Sequence, residues 1–464
     1  MMRMNVSIND GNEDLLLHIN GLYFFQGYQV VEAFTPCHTT CYYLFYYKNK
    51  FLTGKSTPKI KVSSTLHLIL SKGIYVSSSN PIAHFLLHQK AFSSLPKLST
   101  LWKEIKKHYP TREAFHIMSA FDTYIHKKDL ISFMKEAFLK QRRAGKLLHA
   151  YRILRIVLDK YPTNKWASSL ISHMDYQKYS LKYQAEAEDL LPYDPLHTEL
   201  KLYHNRASKP YLELLDHKLQ GEDRYLECLA LYYEQLFLDA SDTDKYYKKM
   251  IDRLHSSFQT TNNMTFLTYL YTEPLSKQAK TEVSLQLVDL FIREKRYKEA
   301  FLFLSQQTEP LQSEQVDLLL FTLNHLDTVS FEQFTPKTLL HSHADLSQIK
   351  KAIDCLIPKL LHQHDITYSY NWLKPFMHLS LPAILKIKKM QEMKEEPDRQ
   401  RELGELYYEF DQVPHAIECF LWHLEMEEND LKTMKWLIKL YKELGQEDEA
   451  ISYQYLYKQM QKTS

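Results

Sequence analysis

The first part of the chain has the residue pattern of a small sheet. Between residues 20 and 75, strand-like runs rich in Tyr, Phe and Val are separated by Gly and Pro; they are GLYFFQGYQVVEAF, CYYLFYYKNKFL and KIKVSSTLHLIL. Aromatic and β-branched residues between turn residues are typical of strands. The next segment changes to a helical pattern, with Ser79 or Asn80 as the N-cap and Pro81 in the first turn. The pattern predicts a small α+β domain over residues 1–95.

The remainder of the chain has the pattern of helices. Apolar residues recur there with a helical period, in segments of roughly 12 to 15 residues that Pro, Asp or Asn interrupt. The chain has only 9 glycines, and five lie near the N-terminus: Gly11, Gly21, Gly27, Gly54 and Gly73. Because tight turns of sheet proteins need the positive φ angles that glycine adopts easily, scarcity of glycine favours helices. We predict a mainly α fold, with degenerate helical hairpins over residues 96–275 and helical repeats over residues 276–464.

The C-terminal part contains a sequence repeat. The segment ELGELYYEFDQVPHAIECF is followed by WLIKLYKELGQEDEAISYQ. Equivalent positions lie 34 residues apart: Leu403 and Leu437, Tyr407 and Tyr441, Asp411 and Gly445, and Ala416 and Ala450. A small alanine on the second helix of a hairpin lets the first helix approach, while Leu and Tyr fill the gap between them. Since one hairpin cannot bury its apolar face alone, neighbouring hairpins must stack.

These positions resemble the tetratricopeptide repeat (TPR) family, whose 34-residue helix-turn-helix units follow the pattern W-x2-L-G-x2-Y, then Ala, then a bulky residue. The first copy matches at Leu403, Gly404, Tyr407, Ala416 and Phe420, and the second at Leu437, Tyr441, Gly445 and Ala450. The second copy has Ile438 in place of the packing glycine and Gln454 at the bulky position, and both copies lack the tryptophan. The resemblance implies a repeat array of helical hairpins, an α-solenoid.

Three upstream fragments look similar to the same pattern: LPAILKIKKM, LVDLFIREKRYKEAFLFL and GKLLHAYRILRIVLDKYP. The first sets Ala383 33 residues before Ala416. The mutual spacings of the fragments are not multiples of the repeat length. The middle of the chain is therefore either a degenerate array or a series of hairpins of unequal length.

Charge and cysteine content limit the classes of partner and compartment. The chain has 58 Lys and Arg against 56 Asp and Glu, a formal net charge of +2. This balance argues against nucleic acid as a partner. Five cysteines, without the pattern of a disulfide framework, are typical of reduced thiols, so we expect a cytoplasmic protein. No run of about 18 uncharged apolar residues occurs, so we expect no membrane span.

The tetrapeptide Gly54-Lys55-Ser56-Thr57 matches the end of a phosphate-binding loop. Such a loop needs a glycine five positions earlier, where this chain has Asn49, and a helix directly after it. Here Pro58 follows, and Lys59–Val62 alternates like a strand. We therefore interpret the tetrapeptide as a turn before a strand and not as a nucleotide site.

Histidines and cysteines form three further patterns with the spacing of metal ligands. Cys37, His38 and Cys41 are close together, but a structural zinc site needs four ligands. His84 and His88 have the spacing of a metalloprotease helix, but Phe85 replaces its glutamate. The paired histidines are interpreted as surface residues: His341, His343, His362 and His364. We predict no metal site, no cofactor and no catalytic residues.

One helix carries a basic face. In DLKTMKWLIKLYKELG, lysines recur at helical spacing, with apolar residues on the other side: Lys432, Lys435, Lys439 and Lys442. The TPR resemblance places the first helices of hairpins along a concave groove that binds peptides, which makes these lysines candidate peptide-binding residues. The alternative is a solvated face that only keeps the last hairpin soluble.

The preferred interpretation is a non-catalytic scaffold or adaptor that binds a protein or peptide through TPR-like repeats. One alternative is a peptide-sensing bacterial regulator in which an N-terminal domain delivers the output. In that class the output domain is often a helix-turn-helix or a helical bundle, and residues 1–95 have neither pattern. An enzyme with its site in the N-terminal domain would depend on GKST and CHTTC alone.

Overall fold

The computed structural model describes residues 4–9, 14–87, 95–238, 243–257, 260–307, 309–331 and 333–463. The protein is mostly helical, with 67% of residues in helices and an antiparallel, curled sheet at the N-terminus. This confirms the prediction of a mainly α fold with a small N-terminal sheet. The chain forms two compact units, residues 1–279 and residues 280–464.

The sheet is built from two hairpins and two shorter strands on one edge. Its described strands are β1 (Asn5–Asn9), β2 (Asp14–Phe25), β3 (Tyr28–Phe34), β4 (Cys41–Tyr47), β5 (Lys50–Ser56) and β6 (Ile74–Ser77). The order is β1-β2-β3-β4-β5, and β6 also pairs with β2. β1 lies opposite residues 14–18 of β2 and β6 opposite residues 21–24, with a register shift in β2 between Ile19 and Gly21.

The predicted strands are confirmed in part. GLYFFQGYQVVEAF forms most of the β2–β3 hairpin, and CYYLFYYKNKFL forms β4 and the start of β5. The strand predicted from Lys59 onward is wrong, because a helix begins at Thr65. Ser64 caps that helix by accepting a hydrogen bond from the His67 amide at 3.1 Å, so capping overrides the alternating pattern.

The first unit covers the sheet with helices. They are α1 (Thr65–Lys72), α2 (Pro81–Leu87), α3 (Leu98–His108), α4 (Thr111–Ser119), α5 (Lys127–Arg143), α6 (Leu147–Lys160), α7 (Lys165–Ile171), α8 (Gln177–Lys182), α9 (Ala187–Tyr193), α10 (Pro195–His204), α11 (Lys209–Gly221), α12 (Tyr225–Leu238), α13 (Thr243–Ser257) and α14 (Thr260–Thr272), with a short 3-10 helix at Met174–Tyr176. The start predicted for α2 is confirmed, since Asn80 Oδ1 accepts the Ile82 amide at 3.0 Å.

The turn between β2 and β3 is buried among helices of this unit. Gln26 Nε2 donates to the Leu196 carbonyl at the start of α10 (2.7 Å), and the Gly27 amide donates to Glu227 Oε2 on α12 (3.4 Å). The Gln26 carbonyl lies 3.0 Å from Nε2 of His116 on α4. The sheet and helices that follow it by up to 200 residues therefore share one core.

This shared core differs from the three-part division drawn from the sequence. Residues 1–95 and residues 96–275 were expected to be separate domains, whereas both lie in the first compact unit. The second unit begins at residue 280, within four residues of the start expected for the segment 276–464. The sequence pattern changes from strand to helix near residue 95, but side-chain contacts continue across that point.

Every secondary-structure element in the described residues of the second unit is a helix. Its helices are α15 (Lys277–Arg293), which begins where the first unit ends, α16 (Tyr297–Ser305), α17 (Ser313–Asn324), α18 (Pro336–Leu340), α19 (Leu346–Gln363), α20 (Ile366–Leu373), α21 (Pro382–Met393), α22 (Gln400–Glu409), α23 (Val413–Met426), α24 (Leu431–Glu443) and α25 (Glu447–Thr463), with 3-10 helices at Lys374–Leu379 and Pro397–Arg399. Among the described helices of the whole chain, none combines the length and the apolar character needed to cross a membrane.

One type of turn recurs between consecutive helices in both units. In the described residues it occurs five times, each with a residue at positive φ: Gly145 (71°), Asp223 (53°), Lys295 (58°), Asp411 (57°) and Gly445 (74°). The amide that follows donates to the carbonyl five residues back, as in Gln412 to Tyr407 (3.0 Å) and Gln446 to Tyr441 (2.9 Å). This is the Schellman arrangement, which satisfies the last carbonyls of a helix.

A small buried residue follows each of these turns at the same distance. The residues five positions after the positive φ are 0–1% exposed: Ala150, Cys228, Ala300, Ala416 and Ala450. The pairs α5–α6, α11–α12, α15–α16, α22–α23 and α24–α25 are thus helical hairpins with one turn geometry and one packing position. Two of the three upstream fragments, those with Ala150 and Ala300, contain a turn of this type and the helix that follows it.

Candidate functional site

The helix that carries the candidate lysines, α24, has a well-defined start at Asp430. Asp430 Oδ1 accepts the Lys432 amide (2.9 Å), and Oδ2 accepts Thr433 Oγ1 (2.8 Å) and Arg401 Nη1 (3.3 Å). Burial raises the pKa of Asp430, but these hydrogen bonds outweigh burial and lower the pKa to about 2. An ionised carboxylate at a helix N-terminus accepts hydrogen bonds from free amides and interacts favourably with the helix dipole. Asp430 therefore stabilises the first turn of α24.

One face of α24 packs into the second unit. Leu437 and Leu440 are fully buried. The Trp436 ring stacks on Phe420 of α23 with ring centroids 5.6 Å apart. Gly404 of α22 lies under the same phenylalanine, where an added Cβ would come within 3.0 Å of the ring. These contacts set which side of α24 faces solvent.

The residues predicted to pack the repeat lie in the two hairpins α22–α23 and α24–α25. Most are buried: Leu403, Gly404, Tyr407, Ala416, Phe420, Leu437 and Ala450. Tyr441 is half-buried and stacks on Tyr453 of α25 at 5.6 Å. Gly445 is exposed and occupies the positive-φ position of the turn. Its role is conformational, because glycine adopts this φ at lower cost than Asp411 does at the equivalent position of the preceding hairpin.

The four lysines of α24 are all exposed: Lys432, Lys435, Lys439 and Lys442. We call this surface the lysine face. Two of its ammonium groups lie over aromatic rings: Lys439 Nζ is 4.3 Å from the Tyr408 ring centroid, and Lys435 Nζ is 5.5 Å from that of Tyr457. Cations in these positions are attracted by the ring quadrupole, which restricts where the flexible side chains lie.

The lysine face lacks the carboxylate partners that two lysines of α21 have. On α21, Lys386 pairs with Glu409 (2.5 Å) and Lys389 pairs with Glu402. On α24, only Lys439 has a carboxylate nearby, with Glu443 Oε1 at 3.9 Å. In the described part of the chain, the other three lysines of the face form no ion pair. The face therefore carries uncompensated positive charge.

The structure places Gly54, Lys55 and Ser56 of the phosphate-loop tetrapeptide in a strand. Gly54 and Lys55 belong to β5 and lie opposite Leu44 and Tyr43 of β4. The turn predicted at this position is therefore wrong, because these residues form the end of the β4–β5 hairpin. The extended backbone does not curl its amides around a common point, as a phosphate loop must.

In the described residues, none of these histidines and cysteines belongs to a group of side chains that could hold a metal ion. Cys37 is exposed in the turn after β3, and Cys41 begins β4. His84 is on α2, and His88 lies outside the described residues. The paired histidines of the second unit are exposed or half-buried: His341, His343, His362 and His364.

One cluster that the sequence did not indicate joins α23 to α24. His423 Nε2 lies 3.2 Å from Asp430 Oδ2 and 3.8 Å from Glu427 Oε2. Three such groups could hold a metal ion. However, Arg401 already occupies Asp430 Oδ2, and a cation beside the carboxylate opposes a second one. We interpret the cluster as support for the start of α24.

A second feature absent from the sequence interpretation is a cavity of about 560 Å³ in the first unit. The turn after β4, the first turns of α4 and α10, and parts of α5, α6 and α11 line it. Its charged residues come from four separate segments, so no local motif could reveal it. The most informative residue in the sequence is Pro110, which precedes α4 and has no side-chain acceptor for the first amides of that helix.

No protein-family model matches the chain, and no curated protein matches it at a significant level.

Proposed function

We propose that the protein is a non-catalytic scaffold whose TPR-like hairpins stack as a repeat array and whose lysine face binds an acidic segment of another protein or peptide. One observation carries the proposal: Lys432, Lys435 and Lys442 are exposed and lack the carboxylate partners that the lysines of α21 have. The alternative is a purely solubilising face, as on α19, where Lys350 and Lys351 are also exposed and form no ion pair in the described residues.

The chemistry of the face suits acidic side chains or a C-terminal carboxylate. An ammonium on a flexible stem acts as a point charge that adapts to the position of an anion. Four such groups on one helix face span three turns, which is long enough to contact an extended peptide. The proposal includes a cytoplasmic location, in keeping with five cysteines that are all free.

Charge reversal on the lysine face tests the proposal. The variant Lys435→Glu with Lys439→Glu should lower the affinity for acidic peptides with free carboxyl termini by roughly tenfold or more, because close charge pairs dominate such contacts. Fluorescence anisotropy with a labelled peptide library measures the change. Binding by the natural protein should also weaken as salt rises, since exposed charges are screened within about 8 Å at physiological ionic strength.

A matched control separates this effect from a general change of charge. Lys350 and Lys351 on α19 are exposed and have no ion-pair partner in the described residues. Reversing both to Glu changes the net charge equally and should leave peptide affinity unaltered. If both double variants bind alike, or if binding survives high salt, the lysine face is only solvated.

A further inference from the structure

The last helix, α25, presents two large apolar side chains to solvent. Ile451 and Tyr455 are 59% and 64% exposed. Side chains four positions apart lie on the same face of a helix, so these two residues form one apolar patch. The patch belongs to the second helix of the last hairpin, α24–α25.

The equivalent surface of the preceding hairpin is covered. Ile417 on α23 lies 34 residues before Ile451 and is 6% exposed. α23 packs against the next helix, α24, where the Trp436 ring stacks on Phe420 with ring centroids 5.6 Å apart. In the described part of the chain, no helix follows α25. Since a terminal repeat normally has a polar outer face, an isoleucine at this position indicates that another element covers α25.

Charged residues of opposite sign lie at the two ends of the patch. Asp448 is three positions before Ile451, and Lys458 is three positions after Tyr455. Both are exposed, and neither forms an ion pair in the residues that the structure describes. Steps of three, four and three positions keep all four residues on one face of the helix. We call them the terminal stripe: Asp448, Ile451, Tyr455 and Lys458.

The terminal stripe is complementary to itself when its direction is reversed. Its spacing is the same from either end, whereas the charges at the two ends are opposite. If two copies of α25 pair antiparallel across a twofold axis, Asp448 of each copy lies opposite Lys458 of the other, and Ile451 lies opposite Tyr455. Parallel pairing would instead place like charges together, which costs free energy. A twofold contact requires a patch that matches itself, and the terminal stripe meets this requirement.

We propose that a second copy of this chain covers the terminal stripe, so that the protein is a homodimer in which the two α25 helices lie antiparallel. Ile451 and Tyr455 of both copies form the apolar centre of the contact, and the two pairs of Asp448 with Lys458 fix the direction and register of the helices. The stripe extends over ten positions, about 15 Å along the helix. Its residues differ from those of the lysine face, which all belong to α24.

Sedimentation velocity of the full chain tests the proposal over a dilution series from about 100 to 1 μM, in which we expect a dimer that dissociates on dilution. Ile451→Asp with Tyr455→Asp should weaken self-association by roughly tenfold or more, because it places carboxylates in the apolar centre. Leu346→Asp with Leu385→Asp is the matched control, since both leucines are exposed on other helices of the second unit. The control should dimerise like the natural protein. A natural protein that stays monomeric overturns the proposal and leaves the stripe to a helix of another protein. Equal self-association of the two double variants overturns it as well.

Charge reversal at the ends of the stripe tests the antiparallel arrangement at exposed positions, where folding is little affected. Asp448→Lys and Lys458→Asp each place like charges opposite one another in a homodimer and should weaken it by roughly tenfold or more. A mixture of the two single variants should form a heterodimer, because both opposite-charge pairs are restored across the axis. The double variant, with both reversals in one chain, should dimerise like the natural protein. If neither the mixture nor the double variant recovers the dimer, the antiparallel contact of the two stripes is wrong.

Discussion

At the scale of single residues, the small side chains after each turn limit how closely two helices approach. Ala416 and Ala450 are 0% and 1% exposed. We expect Ala416→Leu and Ala450→Leu each to lower the free energy of unfolding by about 1–3 kcal/mol, because a larger side chain forces the helices apart. Urea denaturation measures this. Ser452→Leu, on the exposed side of α25, should stay within about 0.5 kcal/mol of the natural protein. Equal stability of all three variants would remove the packing role.

A single buried histidine should make the first unit sensitive to acid. His116 is 0% exposed, and burial, reinforced by nearby Lys160, holds its pKa well below 6.5. The unfolded chain therefore takes up a proton near pH 6.5 that the folded protein does not. The contribution of His116 to stability is complete above that pH and declines below it, by up to about 1.4 kcal/mol per pH unit.

Denaturation at pH 7, 6 and 5 checks this sign. His116→Gln keeps a neutral hydrogen-bonding group and should flatten the loss of stability between pH 7 and 5. His108→Gln, at an exposed position on α3, should leave the slope unchanged. A slope that is identical in both variants would assign the acid sensitivity to other groups.

At the scale of elements, Asp430 links the stability of α24 to its lysine face. Asp430→Ala removes the partner of four hydrogen bonds at the helix start, so we expect a loss of about 0.5–2 kcal/mol and faster hydrogen exchange of amides in the first turns of α24. Asp430→Asn can still cap the helix and should lose less. If Asp430→Ala exchanges no faster than Asp430→Asn, the helix start depends on packing alone.

The elements differ in how far the sequence predicts them. The β2–β3 hairpin and the start of α2 follow from local signals, namely aromatic alternation and the Asn80-Pro81 start. The upstream hairpins are harder, because Asp223 and Lys295 occupy positive φ where glycine would have marked the turn. The cavity cannot be predicted at all from local pattern, since Lys48, Arg112 and Lys218 meet only through the tertiary fold.

At the scale of the whole molecule, the buried turn between β2 and β3 makes the first unit indivisible at residue 95. Removal of residues 1–95 would take the Gly27 amide from buried Glu227 and the Gln26 carbonyl from buried His116. We expect a fragment of residues 96–279 to lack a cooperative thermal transition, and a fragment of residues 280–464 to retain one. Circular dichroism during heating compares them. Cooperative melting of the fragment 96–279 would show that the helices of the first unit fold without the sheet.

The same turn affects how the protein is made. Its contacts join residues 170 and 200 positions apart, so the sheet leaves the ribosome long before the helices that bury its end. At synthesis rates of about 5–20 residues per second, the delay is on the order of ten to forty seconds. During that time Phe25 lacks its ring partners Tyr203 and His204, although Phe25 is 0% exposed in the finished fold. We therefore expect the nascent chain to bind chaperones, and its yield in a host cell to depend on translation speed between residues 28 and 227.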